Sequence, residues 1–189
     1  MKGLLHTIDY KLFFLVNDTW KNSFFDTIMP WARNPSVWIP LYLILFVFYW
    51  FDFRKNIIWI LLFAGLTILL TDQISAHLIK QLVHRLRPCA TPELIGHIHV
   101  LIGCGSGYSF VSSHATNHFG MALFFISLSA KKYRWFIPVF LFWAALISYA
   151  QVYVGVHFPI DVICGGILGA CIGATTGYYC NKVILKTNK

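Results

Sequence analysis

The chain has 189 residues, of which 58% are hydrophobic, 17% aromatic and 12% charged, and its mean hydropathy is +0.65. This composition excludes an ordinary soluble domain and indicates an integral membrane protein. The net charge of +8 suits an anionic ligand. Because the basic residues form no stripe interleaved with aromatic residues, the pattern argues against nucleic acid as a partner.

Residues 1–34 predict a segment that lies on the membrane surface instead of crossing it. Apolar runs such as residues 12–16 alternate with charged residues too often for a spanning helix. We therefore expect an amphipathic segment in the headgroup region with its apolar face towards the lipid. A cleavable signal peptide is not expected, because charge breaks the early apolar run and no small-residue cleavage site follows it.

Residues 35–181 contain five apolar blocks that lack Lys, Arg, Asp and Glu. Each is close to the roughly 20 residues that an α-helix needs to cross a hydrocarbon core about 30 Å thick. The sequence therefore predicts one all-α domain over residues 1–189, a polytopic membrane bundle of about five transmembrane helices that follows the interfacial segment. The blocks run over residues 35–51, 56–71, 112–130, 135–156 and 162–181.

Basic residues in the loops predict the orientation. When five spans are threaded, eight Lys and Arg residues fall on one side, and seven fall on the other side with the N-terminus and three polar motifs. Lys80, Arg85 and Arg87 lie in one of those motifs, and without them the comparison is eight against four. Because cytoplasmic loops carry the excess of Lys and Arg, we expect a multi-pass plasma (inner) membrane protein whose site faces the periplasm or an equivalent exoplasmic space.

The five cysteines divide into two groups. Cys89 and Cys104 flank the hydrophilic stretch between the second and third spans, on the side assigned as oxidising, and a disulfide between them would brace that loop. Cys164, Cys171 and Cys180 lie in the last apolar block, where we expect small packing residues. No Cys-x-x-Cys pair occurs and the histidines are scattered, so the sequence predicts no metal site.

The first polar motif places Lys80 seven residues before Arg87. Seven residues make nearly two helical turns, so both cations would project from one face about 10 Å apart along the axis and hold one anion from two directions. We expect the helix to end at Pro88, since the residue before a proline is pushed away from the α conformation. The alternative is that both cations reach for lipid headgroups and bind no substrate.

The second motif, Ser112-Ser113-His114, follows a glycine-rich stretch and opens an apolar block. One of the serines is a natural N-cap, and the free N–H groups of a helix start favour a phosphate. His114 would then stand in the first turn. The alternative is ordinary capping beside a surface histidine.

The third motif contains Gln151, His157 and Asp161. Pro159 suits the first position of a helix and so places Asp161 in the opening turn of the last span. A carboxylate there can accept a hydrogen bond from Nδ1 of His157 and leave Nε2 free to attack. The alternative is a helix cap without a catalytic role.

The three motifs fall on one membrane face, and in this order they resemble the signatures of the type 2 phosphatidic acid phosphatase superfamily, Lys-x6-Arg-Pro, Pro-Ser-Gly-His and Ser-Arg-x5-His-x3-Asp. The resemblance covers residues 35–180. It is strongest to small bacterial integral-membrane lipid phosphatases, including undecaprenyl-diphosphatase-like and phosphatidylglycerophosphate phosphatase-like members, and it implies chemistry without a metal or cofactor. In this chain the motifs read Lys80-Gln-Leu-Val-His-Arg-Leu-Arg87-Pro88, Val111-Ser112-Ser113-His114 and Ala150-Gln151-Val-Tyr-Val-Gly-Val-His157-Phe-Pro-Ile-Asp161.

The resemblance also implies a role for each motif residue. His157 would attack phosphorus to give a phosphohistidine, and Asp161 would orient the imidazole. His114 would protonate the leaving oxygen and then activate water. The residues that would bind the phosphate oxygens are Lys80, Arg87, Ser112, Ser113 and Gln151.

Three positions depart from the family pattern. Gln151 stands where the family has arginine, so a neutral amide replaces a fixed positive charge and a bidentate fork, a loss on the order of a hundredfold in rate. Val111 replaces a proline and Ser113 a glycine, which are milder changes. Arg85 is a poor substitute for the missing arginine, because it would lie about 200° round the helix axis from Arg87.

We therefore expect a membrane lipid phosphatase that hydrolyses a phosphomonoester or diphosphate of an isoprenoid, glycerolipid or lipid A type lipid at the exoplasmic face. Two alternatives stay open. In the first, the same histidine transfers the phosphoryl group to another lipid. In the second, Gln151 marks a weakened relative that only binds lipid. The sequence does not indicate an oligomeric state.

Overall fold

The structure, a computed structural model, describes residues 2–187. Within that range every regular element is a helix, and the all-α prediction is confirmed. The helices are α1 (Lys2–Phe14), α2 (Ser23–Ala32), α3 (Ile39–Phe53), α4 (Ile57–Asp72), α5 (Lys80–Val83), α6 (Ser113–Ser129), α7 (Phe136–Tyr153) and α8 (Pro159–Thr187).

The long helices coincide with the predicted apolar blocks. Among residues 2–187, three helical runs are long and apolar enough to cross a membrane, namely Pro35–Leu94, Phe136–Tyr153 and Pro159–Thr187. The first run contains both α3 and α4, which a turn at Arg54–Asn56 separates, and a π-helical stretch, Gln73–Ile79, continues α4 into α5. The number of five spans stays a prediction.

The bundle is apolar on its outer faces and aromatic inside. Leu43, Phe142 and Ile167 each expose more than half of their surface, as helices in contact with lipid do. The core lies between α3, α6 and α7, where Tyr49 stacks on Phe125 at a ring distance of 5.2 Å. Aromatic side chains therefore bury much of the area that joins these helices.

Helices α6 and α8 pack at backbone contact because glycines line the shared face of α8. A Cβ atom at Gly169 would lie 2.1 Å from the carbonyl oxygen of Thr116, and one at Gly173 would lie 1.9 Å from that of Gly120. Small residues at this spacing let membrane helices approach closely. The starts of α6 and α8, which carry the second and third motifs, consequently lie side by side.

The N-terminal segment is also part of the folded bundle. Leu4 is exposed, as expected of a face turned to lipid, but Asp9, Phe13 and Asn17 are almost fully buried. The side-chain amide of Asn17 donates to the carbonyl oxygen of Tyr153 at 2.8 Å, which ties this segment to the end of α7. The segment therefore packs against the side of the bundle that carries the motifs, while its place in the headgroup region stays a prediction.

Candidate active site

The third motif places His157 in the short loop between α7 and α8, where it is 1% exposed. Its Nε2 atom lies 3.5 Å from Nη1 of Arg87, and its Nδ1 atom lies 3.3 Å from the hydroxyl of Ser109. Burial lowers the pKa of the imidazole to about 4, against the attraction of the Asp161 carboxylate. The ring is therefore neutral at pH 7 and carries a lone pair for nucleophilic attack.

Asp161 lies in the first turn of α8, as predicted, and is fully buried. Its Oδ2 atom is 3.6 Å from Nδ1 of His157, which is longer than a hydrogen bond. The hydroxyl of Ser109 contacts both groups and donates to Oδ2, and the backbone N–H of Phe158 donates to the same atom at 2.8 Å. The expected direct contact is replaced by a bridge through Ser109, a residue that no motif spacing indicated.

A second unpredicted contact to Asp161 comes from Arg85. Its Nη1 donates to Oδ1 at 2.7 Å, and its Nη2 bonds the buried carboxylate of Asp9 in α1. Asp9 also accepts the backbone N–H of Ile160 at 2.9 Å. Arg85 thus joins α1 to α8 through two buried carboxylates, and because α5 ends at Val83 the helical position expected for Arg85 was wrong.

The helix that was predicted to carry both Lys80 and Arg87 ends earlier than expected. Helix α5 stops at Val83, because His84 adopts the left-handed conformation with φ 52° and turns the chain. Arg87 consequently lies in an extended segment, and the prediction that it shares a helical face with Lys80 was wrong. Both cations are nevertheless close enough to His157 for their charges to act on its imidazole.

The loop after α5 holds the Arg87 side chain in place. Nε of Arg87 donates to the carbonyl oxygen of Gly107 at 3.3 Å, and Nη2 donates to that of Ser106 at 3.4 Å. A disulfide between Cys89 and Cys104 closes this loop, so the predicted pairing is present in the structure. The covalent brace keeps the two carbonyl groups near the guanidinium that they orient.

The second motif forms the start of α6. Ser112 is the N-cap, and its hydroxyl accepts the N–H of Ala115 at 3.4 Å. The N–H of Ser112 donates to the carbonyl oxygen of Asp161 at 3.0 Å, and the hydroxyl of Ser113 accepts a hydrogen bond from Ser75 at 3.0 Å. The first N–H groups of a helix have no partner within the helix, so this end of α6 favours an anion.

His114 stands in the first turn of α6, as predicted, and is half-buried. Arg33 and Lys80 are close enough for their charges to act on its imidazole, and the imidazole of His157 is also nearby. Its carbonyl oxygen is 2.8 Å from Nδ1 of His118, one turn further along the helix. Lys80 therefore lies close to both imidazoles of the site, whereas Arg33 is close to His114 and Arg87 is close to His157.

Gln151 in α7 is fully buried, and its backbone carbonyl oxygen accepts the N–H of His157 at 3.2 Å. Its side-chain oxygen accepts a hydrogen bond from Nε of Arg33 at 3.4 Å. Arg33 follows α2 and is 118 residues distant in sequence. Arg33 belongs to no sequence motif, and only the lack of an arginine at position 151 hints at a second source of charge.

The structure thus brings the predicted motif residues to one end of the bundle. The cluster there contains three cations and two imidazoles, namely Lys80, Arg87, Arg33, His114 and His157. Fixed cations and helix-start N–H groups stabilise the charge that develops on a transferring phosphoryl group. Within residues 2–187 no group of three or more His, Cys, Asp or Glu side chains is placed to hold a metal ion. Chemistry without a metal stays a prediction.

Comparison with known proteins gives a consistent set of relatives. The sequence profile of the PAP2 superfamily matches residues 58–184. A protein of Bacteroides thetaiotaomicron named lipid A 4'-phosphatase is 34% identical over 177 residues, which cover 89% of this chain and 75% of the relative. An undecaprenyl-diphosphatase of Sulfolobus acidocaldarius is 32% identical over 137 residues, which cover 72% of this chain and 60% of the relative.

A solved structure shares the fold. The crystal structure of a transmembrane PAP2 type phosphatidylglycerolphosphate phosphatase from Bacillus subtilis superposes with a TM-score of 0.70 at 22% sequence identity. The match covers 95% of this chain and 88% of that chain. The helical architecture is therefore that of a known membrane protein, whereas the roles of individual side chains rest on the geometry above.

Proposed function

The chain belongs to the PAP2 superfamily, and from this premise we propose that it removes a phosphate group from a membrane lipid at the exoplasmic face, with lipid A as the leading substrate. It is a lipid phosphatase of the PAP2 type. The observation that carries the proposal is the position of His157, a buried imidazole whose Nε2 lies 3.5 Å from the Arg87 guanidinium. A nucleophilic nitrogen beside a fixed cation is what attack on a phosphoryl group needs.

In the first step a bond forms between Nε2 of His157 and phosphorus, and the bond between phosphorus and the lipid oxygen breaks. The bound phosphate offsets the surrounding cations, so His114 takes up a proton when the substrate binds, and it then gives that proton to the lipid oxygen, so the lipid leaves as a neutral alcohol. The bridge through Ser109 to Asp161 stabilises the positive charge that develops on His157. Lys80 and Arg87 offset the negative charge on the phosphoryl oxygens.

In the second step water replaces the nitrogen. The now neutral His114 takes a proton from the water, whose oxygen bonds to phosphorus as the P–N bond breaks. Inorganic phosphate leaves, and both imidazoles return to their starting protonation states. The phosphohistidine can be tested by trapping it. Acid-labile and base-stable phosphate should appear on the parent protein and be missing from the His157→Ala variant.

An apolar groove supports a lipid substrate. It has a volume of about 450 Å³ and lies between α6, α7 and α8, where its lining includes Phe119, Tyr149, Val162 and Ile167. Val162 follows Asp161 directly in the chain, so the groove begins next to the site. A chain of a bilayer lipid lying in this groove would bring its headgroup to His157.

The disulfide and the loop charges support the exoplasmic orientation. The disulfide between Cys89 and Cys104 lies beside the site and needs an oxidising compartment. Basic residues such as Lys131 and Lys132 lie in the loop between α6 and α7, at the opposite end of the bundle. A green fluorescent protein fused to the C-terminus, which fluoresces in the cytoplasm, should therefore be bright, and a dark fusion of a well-expressed, folded protein would reverse the orientation.

The substrate test uses the purified full chain in detergent with three lipids, namely lipid A, undecaprenyl diphosphate and phosphatidylglycerophosphate. We expect phosphate release from lipid A that is lost in His157→Ala and kept in His97→Ala, an exposed histidine outside the motifs. Release from undecaprenyl diphosphate alone would favour the activity named for the Sulfolobus relative. Parent protein that releases phosphate from none of the three would contradict the proposal.

Transfer to a second lipid is the competing reaction, and product analysis distinguishes it from hydrolysis. With a lipid acceptor present, hydrolysis gives inorganic phosphate in step with the loss of substrate. Transfer gives a new phospholipid on a thin-layer plate and little free phosphate. We expect hydrolysis, and a dominant new phospholipid would reassign the chain as a transferase.

A further inference from the structure

We propose that Arg33, at the end of α2, supplies the phosphate-binding guanidinium that the third motif lacks at Gln151. The inference rests on the proposed phosphatase function and adds a residue from outside the three motifs to its site. Arg33 would bind the phosphoryl oxygens directly, together with Arg87 and Lys80.

The contact between Arg33 and Gln151 places the guanidinium where a motif arginine would project. Nε of Arg33 lies 3.4 Å from the side-chain oxygen of Gln151, at the far end of the shorter side chain. An arginine at position 151 is longer than glutamine, so its guanidinium would extend into the region that Arg33 now fills. The cation has thus moved to another helix, while its place beside His114 and Arg87 is retained.

The donors of Arg33 are mostly unused. In the part of the chain that the structure describes, Nε makes the single hydrogen bond of this guanidinium, which leaves its two NH₂ groups available. The side-chain nitrogen of Gln151 is also buried and has no hydrogen-bond partner among the described residues. A buried donor without a partner is costly, so a phosphate oxygen that accepts from Gln151 would remove this cost, and the free NH₂ groups of Arg33 can bind the same anion.

The charge of Arg33 is also unpaired. Among residues 2–187 no carboxylate lies within 4.0 Å of the guanidinium of Arg33 or of Arg87. Burial, together with the charge of Arg87, lowers the pKa of Arg33, although an arginine stays protonated at neutral pH. Two half-buried cations that repel each other are stabilised when an anion lies between them.

Two contacts hold α2 and the residue that follows it, Arg33, against neighbouring segments. Trp38 donates from Nε1 to the carbonyl oxygen of Ala32 at 2.7 Å, directly before Arg33. At the other end of α2, the hydroxyl of Tyr153 donates to Asp26 at 2.7 Å, and Tyr153 is two residues from Gln151 in α7. These contacts hold α2 against α7, as preorganised binding of a transition state requires.

The test is a charge exchange between the two positions. We expect Arg33→Gln to lower kcat/KM for the lipid substrate by about a hundredfold. The double variant Arg33→Gln with Gln151→Arg returns the guanidinium to the motif position and should recover activity to within about tenfold of the parent. Arg134→Gln, which removes an exposed arginine outside the site, should leave activity unchanged.

Binding of vanadate separates phosphate binding from a purely structural role. Vanadate adopts the five-coordinate geometry of the phosphoryl transition state. Its inhibition constant therefore measures how strongly the cations of the site bind a phosphoryl group. We expect Arg33→Gln to raise that constant by at least tenfold and Arg33→Lys to raise it less. If both variants fold, as their melting temperatures report, and bind vanadate as the parent does, Arg33 does not hold the phosphate.

The failure of this inference can be told apart from the failure of the proposed function. A parent that releases phosphate while Arg33→Gln is equally active would overturn only the role of Arg33. A parent that releases no phosphate from any lipid would overturn the function, and its vanadate affinity would still decide the role of Arg33. If Arg33→Gln alone does not fold, a folded but inactive double variant counts against the proposal and an active one supports it.

Discussion

Arg85 donates to Asp161 at 2.7 Å and bonds Asp9 with its other NH₂ group, so one guanidinium lies between two carboxylates that are 0% and 1% exposed. Removing the cation leaves two buried charges without compensation. We expect Arg85→Met to lower the free energy of unfolding by about 3 to 5 kcal/mol. The matched control is Lys21→Met, which breaks an exposed ion pair with Asp18 and costs less than about 1 kcal/mol.

Thermal unfolding in detergent compares these two variants. A large fall in melting temperature for Arg85→Met beside a small one for Lys21→Met supports a buried network that holds α1 against α8. Equal shifts would mean that solvent screens the Arg85 pairs as it screens the surface pair.

The disulfide between Cys89 and Cys104 should affect both the number of reactive cysteines and the activity of the protein. Without a reductant, three of the five cysteines should react with a maleimide after unfolding, because Cys164, Cys171 and Cys180 are free. The disulfide closes a loop across 15 residues, and by the loss of chain entropy in the unfolded state this closure raises the free energy of unfolding by about 3 kcal/mol. The variant with Ser at both bridged positions should also lose activity, since the loop carries the carbonyl groups that hold Arg87.

Cys171→Ser is the control for that variant, because Cys171 is exposed and unpaired. It should retain the melting temperature and the activity of the parent. Five reactive cysteines in the unreduced parent would contradict the disulfide.

Because α6 packs closely on α8, we expect alanine to destabilise the protein at a glycine between these helices and not at a glycine elsewhere. Gly173→Ala places a Cβ atom 1.9 Å from the carbonyl oxygen of Gly120, so the helices must separate. We expect a loss of about 1 to 3 kcal/mol, typical of an overpacked core, and reduced activity because the two helix starts carry the site. Gly65→Ala in α4 has nothing within 4 Å and should keep or slightly raise stability. Equal melting temperatures for the two variants would show that α6 and α8 can adjust.

Local sequence signals predicted the parts of the site that depend on nearby residues. Ser112 as an N-cap and Asp161 in the first turn of α8 follow from residue type at a helix start, and both are present. The disulfide followed from two cysteines at the ends of one loop. The geometry of Lys80 and Arg87 was mispredicted, because nothing in the local sequence indicates that a histidine will adopt a left-handed conformation.

The parts that the sequence did not indicate are contacts between distant segments. Arg85 meets Asp9 and Asp161 across 76 residues in each direction, and Arg33 meets Gln151 across 118. No spacing rule links such residues, since their meeting depends on how the N-terminal helices pack on the bundle. The N-terminal segment was expected only to lie on the membrane, yet it contributes Asp9 and Arg33 to the surroundings of the nucleophile.

The protonation of His157 gives a prediction that needs no substrate. The residue lies in the loop between α7 and α8, and burial lowers its pKa to about 4. An ordinary imidazole is half-protonated near pH 6.5 and loses its nucleophilic lone pair as the pH falls below that value. A lowered pKa moves this loss to more acidic conditions, so His157 should still be neutral at pH 5.5.

Nitrogen NMR of histidine-labelled protein measures this state, with the His157→Ala variant assigning the signal. We expect the signal of His157 to stay neutral from pH 7.5 to pH 5.5. The Asp161 carboxylate opposes the effect of burial on the pKa, so Asp161→Asn should move the midpoint still lower. A midpoint near pH 6.5 in the folded parent would mean that water reaches the ring, and a higher midpoint in Asp161→Asn would mean that the carboxylate does not act on His157.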